Sequence, residues 1–128
     1  MIADIFTFCR SAAIEDDGGL LIRGGFNCLG CKEFPTPPLS LTIIARVIST
    51  IDEDGEHPAS IAFVGPDGET VFEHPEIFQV STQNAQDQAY NVLVIPVNGV
   101  MFEAPNDFDV QLNIDGQTIA RTTLSVQL

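Results

Sequence analysis

The chain has little positive charge, and this scarcity excludes several classes of partner. Lysine and arginine together number 5 against 18 aspartates and glutamates, so the net charge at neutral pH is 5 − 18 = −13. Nucleic acids and anionic membrane surfaces attract basic patches, and neither is therefore an expected partner. The simplest interpretation of the negative charge is that it keeps the protein soluble, although it would also suit a basic partner or a divalent cation.

Long apolar runs and an even set of cysteines are missing as well. No uninterrupted apolar stretch approaches the ~18 residues of a membrane-spanning helix, and the opening MIADIFTFCR lacks the basic leader of a signal peptide. The cysteines number 3, an odd count that fits a reducing compartment better than a disulfide framework. We therefore expect a cytoplasmic protein.

Helical periodicity is also absent. No window of about 11 residues repeats its apolar positions as an amphipathic helix does. Short apolar or alternating segments recur instead at intervals of about 8–12 residues, which is typical of an antiparallel sandwich or barrel. At 128 residues the chain is expected to form one domain, residues 1–128. The prediction is an all-β antiparallel β-sandwich of about eight strands with no long helix.

The strongest strand pattern lies near the carboxyl end. Apolar and polar residues alternate strictly from Phe108 to Ile114, which is typical of a strand with one buried face. Asp115-Gly116 supplies a turn, and alternation resumes at Ala120. A loop of two residues would place the second apolar set on the polar face of the first arm. The pattern therefore predicts a three-residue loop, in a register that pairs Val110 with Ala120.

Four further segments carry structural predictions. Residues 2–14 form a strand that is apolar on both faces, which usually means that both sides are covered or that one meets another subunit. Residues 65–69, GPDGE, predict a hairpin turn. Pro96, inside the apolar run of residues 90–97, indicates a bulge or an edge strand. Residues 83–88 are polar and predict a loop.

The last corner of the chain resembles the final two strands of immunoglobulin-like domains. Pro105, then an aromatic residue, an alternating strand, an Asp-Gly turn and a closing strand follow in that order. The aromatic residue is Phe108, which has no hydroxyl for the hydrogen bond that a tyrosine makes at this corner, and the chain has no tryptophan. The resemblance therefore concerns architecture, which does not by itself imply a function.

A broader resemblance covers nearly the whole chain. Five segments occur in order: ADIFTFCRSA, GGLLIRGGFN, FPTPPLSLTIIARV, AFVGPDGETVF and NIDGQ. Together they resemble a family of small uncharacterised bacterial β-sandwich proteins. None of these motifs is catalytic, so the resemblance implies a fold and leaves the function open.

One cysteine motif has the spacing of a metal site. Cys28 and Cys31 form a Cys-x-x-Cys pair with a glycine inside it, as in zinc knuckles. A structural zinc site needs four ligands, and only Cys9, His57 and His74 remain as candidates. A redox pair would need a helix N-terminus, which the strand pattern does not offer. Reduced, metal-free thiols are the simplest interpretation.

The acidic loop from Asp52 to Glu56 offers a second, weaker metal motif. Asp52 and Asp54 are the candidate ligands, and Asp16 and Asp17 of another turn would have to converge with them to bind calcium. The spacing does not match the calcium loop of helix–loop–helix proteins. Solvated turns are the simplest interpretation of both segments.

A catalytic constellation is not recognisable in the sequence. No nucleophile can be paired with a base, and no glycine-rich loop precedes a helix, so we predict no catalytic residues and no cofactor. The expected function is a non-enzymatic module that binds protein or self-associates, with a homodimer or a larger assembly forming through the first strand or an exposed sheet edge. The alternative is a metal-binding domain for calcium or zinc. The apolar residues expected to meet the second subunit are Ile2, Ile5, Phe6, Phe8 and Cys9.

Overall fold

The computed structural model describes residues 1–82 and 87–128 and consists almost entirely of strands. The only helical element in this part of the chain is one 3-10 turn, Ile51–Glu53, and no helix there is long and apolar enough to cross a membrane. The all-β prediction without a long helix is confirmed. The strands are β1 (Ile2–Cys9), β2 (Ser11–Ile14), β3 (Leu20–Arg23), β4 (Cys28–Gly30), β5 (Leu39–Thr50), β6 (Gly55–Val64), β7 (Thr70–Val80), β8 (Gln88–Val100), β9 (Asn106–Ile114) and β10 (Gln117–Gln127).

The expected count of about eight strands is wrong, for two reasons. The single strand predicted for residues 2–14 is divided at Arg10 into β1 and β2. At this point the N–H of Arg10 donates to the carbonyl oxygens of Arg23 and Gly24. The strand β4 has only 3 residues, too few to show an alternation. The loop predicted at residues 83–88 falls largely on residues 83–86, which lie outside the described residues, and Gln88 already begins β8.

The strands form three sheets, one of them curled as a half-barrel. In the three-stranded sheet β5 lies between β1 and β8, and both pairings are antiparallel. The five-stranded sheet has the order β4-β10-β9-β6-β7, and β2 and β3 form a hairpin of their own. The strand β4 runs parallel to β10, so the expected purely antiparallel arrangement is wrong at this edge.

The two larger sheets share one hydrophobic core. One face of β5, which carries Leu41, Ile43, Ala45 and Val47, is buried in it, and the ring of Phe8 on β1 lies 6.0 Å from that of Phe63 on β6. Burying a large apolar side chain contributes about 1.5–3 kcal/mol, so this cluster is the main source of stability. Its buried members are Phe8, Leu41, Ile43, Ala45, Val47, Ile61, Phe63, Phe78, Val80, Leu93, Ile95, Val97, Val100, Phe102, Phe108, Val110, Leu112, Ile114, Leu124 and Val126.

The last hairpin differs from its predicted register. Asp115 and Gly116 form a loop of two residues, both with positive φ (54° and 78°), the conformation that Asp-Gly favours in tight hairpins. A bulge between Thr118 and Ala120 then inserts one extra residue into β10. The short loop alone would turn the apolar residues of β10 away from the core, and the extra residue in the bulge turns them back. As a result Ala120 pairs with Leu112. The predicted pairing of Val110 with Ala120 is therefore wrong by two residues.

Prolines mark the edges of both larger sheets. Pro96 lies on β8, at the edge of the three-stranded sheet, which confirms the prediction of an edge strand. Pro75 lies on β7, at the edge of the five-stranded sheet. Proline has no N–H to offer an incoming strand, so these residues oppose pairing with another chain along these two edges.

The connector before β5 is fixed to the segment that follows β8. Thr36 is 2% exposed, and its N–H donates to the carbonyl oxygen of Phe102 at 2.8 Å. The N–H of Phe102 donates in return to Oγ1 of Thr36 at 3.0 Å. This reciprocal pair holds the residues after β8 in place, which matters for the groove described below.

We predict that the core face of β9 tolerates no charge. Val110 and Leu112 have no exposed surface, so Val110→Asp or Leu112→Asp should destabilise the fold by more than ~3 kcal/mol through burial of an unpaired carboxylate. Gln111→Ala, on the opposite face of the same strand, should cost no more than about 0.5 kcal/mol. Denaturant unfolding measures both changes, and the reverse order would refute the assignment of the faces.

Candidate functional site

The two cysteines of the Cys-x-x-Cys motif face opposite sides of the five-stranded sheet. Leu29 pairs with Val126 of β10 and packs against the core, so its neighbour Cys28 faces outward and is exposed. Cys31 bonds through its N–H to the carbonyl oxygen of Gln127 and packs on the core side. Successive side chains of an extended chain point to opposite sides, so two cysteines three residues apart point in opposite directions. The two thiols therefore cannot bind the same ion.

Two of the thiols lie in surroundings that disfavour their reactive form. All three cysteines are free, and Cys9 is 2% exposed. Burial raises the pKa of the Cys9 and Cys31 thiols above its usual range. The thiolate is both the nucleophile and the metal ligand, so these two groups are poor candidates for either role at neutral pH.

Thiol accessibility should separate the cysteines. We expect Cys28 to react rapidly with a chromogenic disulfide reagent in the native protein, and Cys9 to react only after unfolding, because one is exposed and the other buried. The total in denaturant should be 3 thiols for the 3 cysteines. Stoichiometric zinc in the purified protein, or a total of one thiol, would contradict this prediction.

The carboxylates of the acidic loop are engaged in local hydrogen bonds. Asp52 accepts from the hydroxyl of Thr50, Glu53 accepts from the Thr50 N–H at 2.9 Å, and Asp54 accepts from the Thr82 N–H at 3.0 Å. These bonds lower the pKa of all three carboxyl groups. The loop is also shorter than expected, because β6 already begins at Gly55.

The candidate metal ligands do not come together in the described residues. Asp52 and Asp54 serve different partners, and Asp17 accepts a hydrogen bond from the N–H of Gly19 in the β2–β3 turn. No group of three or more histidine, cysteine, aspartate or glutamate side chains in residues 1–82 and 87–128 is placed to hold an ion. Neither the zinc nor the calcium hypothesis gains a preformed site from this arrangement.

His57 joins the acidic loop to the turn between β9 and β10. Its Nδ1 lies 2.6 Å from Oδ2 of Asp115, and its Nε2 lies 2.6 Å from the carbonyl oxygen of Glu53. Both partners are acceptors, so the arrangement suits the imidazolium ion, which donates from both nitrogens. The carbonyl of Glu53 and the carboxylate of Asp115 raise the pKa of His57. Neither ring nitrogen is free to act as a catalytic base.

The stabilisation by His57 should depend on pH. Because the pKa of His57 is raised in the folded state, its contribution is fully present below the unfolded pKa of about 6.5 and is lost as pH rises through the folded pKa. The free energy of unfolding lost in His57→Gln should therefore be larger at pH 5.5 than at pH 9.

Asp115→Asn provides the matched control for this pH dependence. Asparagine tolerates the positive φ of residue 115, so the turn is kept while the carboxylate beside the ring is removed. The pKa of His57, followed by NMR, should fall in this variant. A loss in His57→Gln that is the same at both pH values would contradict the assignment.

The side of the three-stranded sheet that faces away from the core is largely apolar. On β5, Ile44 has no exposed surface although it lies outside the core cluster. Around it, Ile2 is 62% exposed, Tyr90 59% and Val94 43%. We define the outer face as the three cross-strand rows Ile2–Ile48–Tyr90, Ile5–Arg46–Val92 and Thr7–Ile44–Val94.

The outer face carries no net charge. Its single cation, Arg46, donates through Nε to Oδ1 of Asp4 at 3.0 Å, and its guanidinium lies over the ring of Tyr90 at 5.7 Å. Asp4 sits at a bulge of β1 beside the middle row, and the hydrogen bond from Arg46 lowers its pKa. Arg46 is the one charged residue in the three rows, and its pairing with the adjacent Asp4 leaves this face without net charge in a chain whose net charge is −13.

A groove of about 880 Å³ lies between the β6–β7 turn and the segment after β8. The turn contributes Asp67 and Glu69 to one wall, and Met101 and Glu103 belong to the other. Phe102 and Phe108 line the groove and are almost wholly buried. This groove was not predictable from the sequence, because its walls are separated by more than 30 residues along the chain and no local pattern connects them.

The chain belongs to a family of unknown function, DUF6941, whose model matches residues 4–127. The match covers nearly the whole chain, so the resemblance to a family of uncharacterised proteins is confirmed at that level. No curated protein and no solved structure matches the chain. Inference about its function therefore rests on the two surfaces just described.

Proposed function

We propose that the protein is a non-enzymatic binding module that self-associates through its outer face. The observation that carries this proposal is the apolar character of that face, with Ile2, Tyr90 and Val94 each more than two-fifths exposed. Exposed apolar patches of this kind mark interaction sites in soluble proteins or are aggregation liabilities. A partner that covers the patch removes that liability.

The charge distribution favours a second copy as the occupant. Two copies of a chain with net charge −13 repel one another wherever acidic surfaces meet. The outer face avoids this repulsion, because its one charged pair, Arg46 with Asp4, is internally neutral. An isologous dimer would place this face against itself, which supports the homodimer expected from the first strand.

The side chains assigned to the interface differ from those expected from the sequence. Phe8 is in the core, Phe6 packs against it and Cys9 is buried, so these three are not available to a second copy. Ile2 and Ile5 remain, and β5 and β8 supply the other apolar members of the outer face. The dimer proposed here is therefore formed by the face of a sheet, rather than by an exposed sheet edge.

The size of the outer face implies a weak dimer. With strands about 4.8 Å apart and residues on one face about 6.8 Å apart, its three rows cover roughly 300 Å². Each partner of a standard interface buries about 800 Å² of surface, so this patch predicts a dissociation constant above about 10 μM.

Two further proposals concern the architecture and the compartment. We propose that the two larger sheets form an immunoglobulin-like sandwich. We also propose that the protein is cytoplasmic, because its cysteines are free.

Sedimentation velocity at 10–500 μM in ~0.15 M salt tests the dimer. Wild-type protein should shift from a 13.8 kDa monomer toward a dimer as its concentration rises. Val94→Asp should stay monomeric, because each copy would bring a carboxylate into an apolar interface. Ile77→Asp is the matched control, since Ile77 is also an exposed apolar residue, 61% exposed, but lies on β7.

Three outcomes would contradict the proposal. One is a wild-type monomer at every concentration. The others are a dimer unaffected by Val94→Asp, or a dimer abolished equally by Ile77→Asp. Salt supplies an independent check, because screening shortens the range of repulsion between the two acidic copies to about 8 Å at 0.15 M. Association should therefore strengthen from 0.02 M to 0.3 M salt.

A further inference from the structure

The groove beside the β6–β7 turn combines negative charge on both walls with an absence of cations. Asp67 and Glu69 lie on one wall and Glu103 on the other, and no lysine, arginine or histidine of the described residues lines it. None of the three carboxylates belongs to an ion pair in that part of the chain. Their charge is therefore available to a ligand.

Apolar surface accompanies these carboxylates. Val71 is 51% exposed and Met101 53% exposed, and both line the groove. Behind them the rings of Phe102 and Phe108 lie 4.9 Å apart, centroid to centroid. A ligand suited to this groove needs aliphatic stems that end in cations, which is the shape of lysine and arginine side chains.

Backbone hydrogen bonds hold both walls before any ligand binds. On one side the N–H of Gly65 donates to the carbonyl oxygen of Glu69 at 2.8 Å, and the N–H of Glu69 donates to Oδ1 of Asp67 at 3.1 Å. On the other side Phe102 is held by its reciprocal bonds with Thr36. A preformed groove loses little conformational entropy on binding, which favours affinity.

We infer that the groove binds an extended basic segment of a partner protein. Its cationic heads would pair with Asp67, Glu69 and Glu103, while its aliphatic stems cover Val71 and Met101. Nucleic acid is repelled by the same carboxylates. A second copy is a poor source of such a segment, because the chain has only 5 lysines and arginines against 18 acidic residues.

A peptide fits this groove better than a single small cation does. Among the described residues, the three carboxylates do not form a group placed to hold one ion, whereas successive side chains of an extended segment can reach both walls. The groove shares no residue with the outer face, so this inference goes beyond the proposed self-association. Either proposal can fail while the other stands.

NMR titration of ¹⁵N-labelled protein tests the inference. The probe is a peptide of repeated Lys-Lys-Val with capped ends, in which adjacent lysines project to opposite sides of the extended chain. The controls are the same peptide with glutamate for lysine, and spermine. We expect shifts centred on residues 65–71 and 101–108 for the basic peptide, none for the acidic one, and at least about ten-fold weaker binding of spermine, which has no separate side chains to reach both walls.

Matched variants separate the groove from the general charge of the protein. Glu69→Lys/Glu103→Lys alters the walls, and Glu15→Lys/Glu56→Lys alters exposed sites elsewhere, while both change the net charge from −13 to −13 + 4 = −9. The first should weaken peptide binding at least about ten-fold and the second less than about three-fold. If charge reversal disturbs the fold, Glu69→Gln/Glu103→Gln should still weaken binding about five-fold.

Several results would overturn the inference. These are no binding of the basic peptide at 1 mM, shifts centred on the outer face, equal losses in the two Lys variants, or spermine binding as tightly as the peptide. The last result would reassign the groove to small amines. Shifts in the groove that appear with protein concentration alone would assign it to a second copy.

Discussion

The burial of β5 on both of its faces is the constraint on which the rest of the structure depends. One face, Ile43, Ala45 and Val47, packs into the core shared by the two larger sheets. The other face carries Ile44, which is just as completely buried although it is not part of that core. A central strand that is apolar on both sides needs cover on both sides, and for Ile44 the chain itself supplies that cover. Its neighbours on the flanking strands, Ile2, Tyr90 and Val94, remain exposed, and this uncovered apolar surface is the basis of the proposed dimer.

Much of the fold could be predicted from the sequence, because its strands follow simple local rules. The alternation of β9 was sufficient to identify its four core residues, Phe108, Val110, Leu112 and Ile114, without any tertiary information. Register was harder to predict. The two-residue turn at Asp115-Gly116 would place the apolar residues of β10 on the wrong face of the sheet, and the bulge before Ala120 returns them to the core face. The two effects cancel, so the sequence alternation shows only the final result and neither cause. The pattern was explained equally well by one longer loop, which proved wrong.

Features that depend on distant parts of the chain were largely beyond sequence reasoning. The parallel strand β4 has no pattern of its own, since its place is determined by pairing with β10. Once that pairing is known, the Cys28–Cys31 spacing loses its meaning as a chelating motif, because alternation separates the thiols. The groove and the bonds of His57 to Glu53 and Asp115 likewise bring together residues for which no local pattern exists.

Isotope-filtered NMR tests most directly whether two copies meet through the outer face. In a mixture of ¹³C-labelled and unlabelled protein at about 0.5 mM, the upper end of the range used for sedimentation, contacts between methyl groups of different copies can be observed. If the dimer forms as proposed, such contacts are expected for Ile48, Val92 and Val94 of the outer face. Their absence in a sample that sedimentation shows to contain dimers, or contacts confined to β7 or to the β2–β3 hairpin, would contradict it.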